Sequence, residues 1–177
     1  EVRRRIAMHR IEQLFIMQRS RGDYNRYLAD NIEQILTDKR VSAAEKSSIL
    51  YDSAQAVVEQ VLAEPTSREN LRRGKDIAGH TVCYMGEKDF KLEHLLRTMS
   101  SEYYLYTHCV NVATYSVALA MRAGITEKPL LRELANGALL HDVGKVRVPP
   151  RILRKTEGLS DEEWEKVRSV PQLGYEM

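Results

Sequence analysis

Apolar residues recur at intervals of three and four along almost the whole of this chain, and no strand-length stretch alternates apolar with polar. A period near 3.6 gathers residues on one face of an α-helix, whereas a half-buried strand needs a period of two. The expected fold is therefore all-α, a helical bundle in which each helix buries one stripe. At 177 residues the chain can close a hydrophobic core without disulfides or metals to staple it. That length suits one domain, or a small domain with a helical extension.

Composition removes several classes of function. The hydrophobic share of 43% and the charged share of 29% are those of a soluble globular protein. A net charge of +2 is too small to point to nucleic acid as a partner. The Arg3-Arg4-Arg5 cluster reads as a solvated helix face, with Glu1 spaced to pair with Arg5. No apolar run reaches the length of a membrane span and no signal peptide is visible. Cys83 and Cys109 lie in helical segments, without the spacing of a zinc knuckle or a disulfide framework, and read as free thiols of a cytoplasmic protein. The first residue is not Met and already reads as helical, so the chain is expected to be a piece of something longer.

The helices can be placed in order. Val2, Ile6, Ile11, Leu14 and Phe15, then Tyr24, Tyr27, Leu28, Ile32, Ile35 and Leu36, predict a helix over 2–36 with a break or a weakened turn at Gly22-Asp23. It reads as a core helix, a connector from an upstream sensor or a dimer-forming coil. Ser42 and Glu45 form a capping box that opens a second helix, with Leu50, Ala54, Val57, Val58 and Val61 as its stripe and Pro65 as its stop. Thr66-Ser67 offers an N-cap for a weakly patterned third helix that runs to about Tyr84 and ends near Gly86, and Leu92, Leu95, Leu96 and Met99 mark a fourth. Residues 103–122 form a fifth, with Tyr104, His108, Val112, Tyr115 and Leu119 on one face, Cys109, Ala113, Val117 and Ala120 beside it, and Gly124 at its end. A sixth starts near Glu127, tolerates Pro129 in its first turn and carries Leu131, Leu134, Ala135, Ala138 and Leu139. Its small residues Ala135, Gly137 and Ala138 would let a neighbouring helix come close. Arg151–Arg154 forms a short piece, and a second capping box at Ser160 and Glu163 opens a helix anchored by Trp164 and Val167. Pro171 stops that helix.

The sixth helix delivers His141-Asp142-Val143-Gly144-Lys145 at its end. Imidazole and carboxylate both ligate divalent metals, and a carboxylate can bridge two ions in a site that attacks a phosphodiester. Glycine frees the backbone to turn, and the lysine supplies a cation for a phosphate. The chain has five histidines. His9, His80 and His94 read as surface or boundary residues. His108 lies on the apolar face of the helix before the one that ends in His141-Asp142. Alone it would read as a hydrogen-bonded core residue, and beside that pair it becomes a candidate ligand.

Three ordered stretches carry a resemblance. They are Tyr106-Thr107-His108-Cys109-Val110-Asn111-Val112-Ala113, then His141-Asp142-Val143-Gly144-Lys145-Val146-Arg147-Val148-Pro149, then Leu159-Ser160-Asp161-Glu162-Glu163-Trp164. Together they resemble the HD-GYP family, bacterial output domains of the HD phosphohydrolase superfamily that hydrolyse cyclic di-GMP. The resemblance implies an HD-type helical bundle, with residues 101–177 as the N-terminal part of an HD-GYP-like domain. Residues 1–100 are similar to the helical segment that precedes such domains. It implies metal ligation by His108, His141 and Asp142, with Asp142 bridging and Lys145 on the scissile phosphate. The implied cofactors are iron or manganese ions. The implied partners are cyclic di-GMP or a related nucleotide, an upstream sensor domain or signalling protein, and a second copy of the chain in a homodimer.

The chain also departs from that family. Tyr104 stands where members with a third metal carry a Glu, which argues against a trinuclear site. Val170, just before Pro171, stands where the family carries a further His ligand. The family's later His pair, its final Asp ligand and its Gly-Tyr-Pro loop would fall beyond Met177, and Gly174-Tyr175-Glu176 is not that loop. Weak or absent metal binding and no turnover are therefore expected of the chain as it stands. Three readings remain open: a phosphodiesterase module, a non-catalytic signalling relative with a degenerate metal site, and a helical scaffold that fits the pattern by chance.

Overall fold

The computed structural model describes residues 8–9, 15–99 and 104–177, and every regular element among them is helical. A 3₁₀ turn, Gln18–Ser20, leads into α1 (Arg21–Thr37). Then come α2 (Ala43–Ala63), α3 (Arg68–Met85), α4 (Leu92–Thr98), α5 (Leu105–Arg122) and α6 (Lys128–Leu140). A second 3₁₀ turn, Val143–Arg147, is followed by α7 (Pro150–Leu153), α8 (Asp161–Arg168) and α9 (Val170–Tyr175). No described helix is long and apolar enough to cross a membrane.

Local chemistry sets most of these boundaries. At the start of α2, the Ser42 N–H donates to Glu45 Oε2 at 3.0 Å and the Glu45 N–H donates to Ser42 Oγ at 3.3 Å. The same reciprocal pair, Ser160 and Glu163, opens α8. Helix α5 closes on Gly124 at φ +91°, where the Ile125 N–H donates to the Ala120 carbonyl at 3.0 Å and the Gly124 N–H to Met121 at 3.1 Å. That six-to-one bond with a left-handed residue is a Schellman ending, and a side chain there would be strained. It turns the chain so that α6 packs back along α5.

Helix α2 runs through the centre of the bundle. Its Leu50, Ala54, Val57, Val58 and Val61 are buried with Ile77 and Val82 of α3, Cys109 and Val117 of α5, and Leu131, Ala135 and Leu139 of α6. One core thus draws on residues from both halves of the chain. A smaller cluster joins Val148, Ile152 and Val170, with Val167 packed against it.

Several expectations need correction. Gly22-Asp23 does not break a helix. Both residues lie in the first turn of α1, where backbone N–H groups lack intrahelical partners anyway and Asp23 meets the positive end of the dipole. Residues 15–17, before the 3₁₀ turn, are not helical. Val2, Ile6, Ile11, Leu14 and the Arg3-Arg4-Arg5 cluster lie outside the described residues. On α5 the buried stripe is Cys109, Val110, Ala113, Val117 and Ala120, the second of the two adjoining faces read from the sequence, while Tyr115 and Leu119 of the first face, and Tyr104 at the N-cap, are exposed. The two stripes adjoin on a helix that is apolar nearly all round, so periodicity could not choose between them. On α4 Leu95 is buried and Leu96 exposed, and on α6 Leu134 is exposed. A Cβ added at Gly137 would meet nothing within 4 Å, so no neighbouring helix requires a glycine there, whereas Ala135 is buried in the core. Trp164 does not anchor α8 in the core. It lies on the surface with the Arg168 guanidinium 5.8 Å from its ring centroid.

Candidate metal centre

Helix α6 stops at Leu140, with His141 as its C-cap and Asp142 leading into the 3₁₀ turn. The turn can lie flat against α9 because residue 144 is glycine. A Cβ there would stand 2.0 Å from the Val170 carbonyl oxygen and 2.8 Å from the Gly174 nitrogen. The φ of Gly144 is not in the left-handed region, so close approach of two backbones is the reason for the glycine here.

Side chains from α5 and from this turn converge on one oxygen. Asp142 Oδ2 lies 3.3 Å from His141 Nε2 and 3.6 Å from His108 Nε2, and it accepts a hydrogen bond from Lys145 Nζ at 2.6 Å. The two imidazole rings are 5.2 Å apart at an interplanar angle of 61°. Asp142 is 8% exposed, His108 and Lys145 are half-buried, and His141 is open to solvent. The candidate ligand atoms of His108, His141 and Asp142 all lie within 4.8 Å of one another. Ligand atoms on one divalent ion, at bond lengths of about 2.0–2.2 Å, stand roughly 3–4 Å apart. The donor set therefore fits a borderline transition-metal ion after small side-chain movements.

The tautomer of His141 supports the same use. Its Nδ1 lies 2.8 Å from the Ala138 carbonyl oxygen. A carbonyl can only accept, so Nδ1–H donates there, and Nε2 is the ring atom of His141 that faces Asp142 and would be offered to a metal ion. This partner was not foreseen from the sequence. The available signal was a histidine just past a helix C-terminus, where side chains reach the last free carbonyls. Cys109 lies beside His108 and is fully buried. Burial, and then the negative charge of Asp142, push its thiol up to about 12, and it is not among the converging ligand atoms.

Position 170 borders the site without contributing a donor. Val170 is buried against Val148 and Ile152, and it lines a cavity of about 580 Å³ together with His141, Asp142 and Lys145. Tyr104, at the start of α5, is exposed and stacks on Tyr106 with ring centroids 5.5 Å apart. His9 is exposed and His94 half-buried, and neither they nor His80 belongs to a cluster of three or more potential ligands among the described residues. His80 lines a larger cavity, of about 910 Å³, between α1, α3 and Arg132. Lysines 39, 46 and 75 there are offset by Glu33, Glu87 and Asp89, and no ligand set converges in it.

Comparison with known proteins agrees with this geometry. The HD domain family model matches residues 105–177. The chain is 42% identical over 83 residues to the cyclic di-GMP phosphodiesterase PA4108 of Pseudomonas aeruginosa, a match covering 47% of this chain and 20% of that protein. It is 34% identical over 79 residues to the cyclic di-GMP phosphodiesterase PdeB of Borreliella burgdorferi, covering 45% and 20%. Among solved structures it resembles Bd1817, an HDG"Y"P protein of Bdellovibrio bacteriovorus, with a TM-score of 0.70 and 28% identity. That superposition covers 91% of this chain and 53% of the other. The matches thus span about a fifth of the two phosphodiesterases and about half of the solved chain. An HD domain match over residues 105–177 and relatives of this kind support an HD-GYP-type domain in that part of the chain, where His108, His141 and Asp142 are brought together.

Proposed function

We propose that the chain belongs to a metal-dependent phosphodiesterase module of cyclic di-GMP signalling, with His108, His141 and Asp142 as metal ligands and Lys145 as a phosphate contact. In this reading residues 101–177 supply the first ligands of the site, and residues 1–100 form the helical lead-in from a sensor domain or partner. The observation that carries it is the convergence of His108 Nε2 and His141 Nε2 on Asp142 Oδ2. Two imidazoles and a carboxylate suit iron or manganese. Such ions supply a water deprotonated near neutral pH and polarise a phosphoryl oxygen. Asp142 offers two oxygens, so its carboxylate can bridge. Lys145 holds its ammonium at 2.6 Å from Asp142, where it can neutralise charge building on a phosphate oxygen drawn into the site.

A second reading is a non-catalytic signalling domain, and one observation favours it. Val170 places a buried aliphatic side chain beside the site where a ligand would complete the set. Elemental analysis of the purified chain separates the two readings. The phosphodiesterase reading expects bound iron or manganese, its loss in His141→Ala, and a rise in occupancy in Val170→His. An unmodified chain that carries no metal and takes none up on reconstitution would sink the first reading for this chain and leave the second.

A further inference from the structure

Two polar contacts tie α2 to α5 on either side of His108. Tyr51 Oη donates to Asn111 Oδ1 at 2.8 Å, and Gln55 Nε2 donates to Thr107 Oγ1 at 3.2 Å. The position four later on α2 meets the position four earlier on α5, so the two bonds are successive rungs between antiparallel helices. His108 lies between them, directly after Thr107 and one turn before Asn111. Tyr51 and Thr107 are buried, at 3% and 2% exposure, while their partners Asn111 and Gln55 are half-buried, so each rung pairs a core hydroxyl with an amide at the rim of the interface.

The contacts differ in kind from the rest of the α2–α5 interface. Leu50, Ala54 and Val58 of α2 and Val110, Ala113 and Val117 of α5 share the apolar core, and such packing holds the helices together without strong directional preference. Hydrogen bonds weaken steeply when bent, so two of them a turn apart fix how α5 is rotated about its own axis. Rotation is what matters to a ligand. A side-chain tip about 6 Å from a helix axis moves about 1 Å when the helix turns by roughly 10°. Metal–ligand distances tolerate only about ±0.2 Å.

We propose that Tyr51, Gln55, Thr107 and Asn111 are positioning residues, a two-rung clasp through which α2 sets the rotation of α5. The clasp holds His108 Nε2 in register with His141 and Asp142. It makes residues 43–63 a lever on the site, because a movement of α2 carries His108 with it. The inference rests on the reading of His108 as a metal ligand.

The test uses the full chain labelled with ¹⁵N-histidine, and Co²⁺ as a spectroscopic probe. Tyr51→Phe keeps the ring and removes only the hydroxyl, and Thr107→Val keeps the shape and removes the acceptor. Both are expected to shift or broaden the imidazole signals of His108, to leave those of His80 and His94 in place, and to lower Co²⁺ affinity about tenfold. Thr107→Ser, which retains the hydroxyl, is expected to behave as the unmodified chain. If both variants lose thermal stability while the His108 signals stay unchanged, the rungs only hold helices together and the proposal is overturned. Should Tyr51→Phe fail to fold, Thr107→Val against Thr107→Ser carries the same comparison. A chain that takes up no Co²⁺ at all overturns the metal reading instead, and the His108 signals still decide the clasp.

Discussion

Gly144 shows how one missing atom shapes the centre. Its backbone lies so close to α9 that a methyl group would fall 2.0 Å from the Val170 carbonyl oxygen, which is main chain and has no rotamer to give. Gly174 faces it, but there an added Cβ would be tight only against the Val143 Cγ1 at 3.1 Å, a side chain that can yield by a few tenths of an ångström, and would meet the Gly144 nitrogen at an ordinary 3.4 Å. Gly144→Ala should therefore destabilise the protein by more than about 3 kcal/mol, and Gly174→Ala by roughly 1 kcal/mol. Urea denaturation of the two variants checks the order, and equal midpoints would refute it. Glycine was legible in the sequence as a turn-former. Its real role, close approach to a helix thirty residues later, was not, because that helix's docking is a tertiary fact.

Among the elements, capping was readable and facing was not. A capping box is written in residues three apart, so Ser42 with Glu45 and Ser160 with Glu163 specify their helix starts wherever the helices later pack. Ser42→Ala should cost about 1 kcal/mol, measured by thermal unfolding near neutral pH. The hydrogen bonds from Ser42 hold the Glu45 carboxyl below its usual 4.5. A depressed carboxyl adds stability above its unfolded value and loses it as pH falls through the folded one. The Ser42→Ala penalty should accordingly shrink in acid, and a penalty constant from pH 7 to pH 2 would show that the carboxylate takes no part. Helix α5 is the contrary case. Several of its faces are apolar, and α2 and α6 together decide that the Cys109–Val117 stripe goes inside while His108 remains at the rim of the metal centre.

For the whole molecule, the decisive feature is one core shared by α2, α3, α5 and α6. Leu50 on the central helix is 1% exposed, and Leu50→Ala should cost about 2–5 kcal/mol by denaturant unfolding followed by circular dichroism. A loss below about 1 kcal/mol would mean that α2 is peripheral to stability. The sequence by itself determined the all-α class and the capped helix starts, and its resemblance to a family singled out a His-Asp pair at the tip of α6 as candidate ligands. Those depend on periodicity, caps and motif spacing, all of which act over a few residues. Tertiary structure alone decided that His108 reaches Asp142 and that the Ala138 carbonyl sets the His141 tautomer. It also decided that Val170 closes one wall of the site without a donor and that α2 grips α5 on both sides of His108. Each of these is a distance between groups on different turns or different helices. Such distances are set by which stripes the core buries and by hydrogen bonds that form only once it has closed.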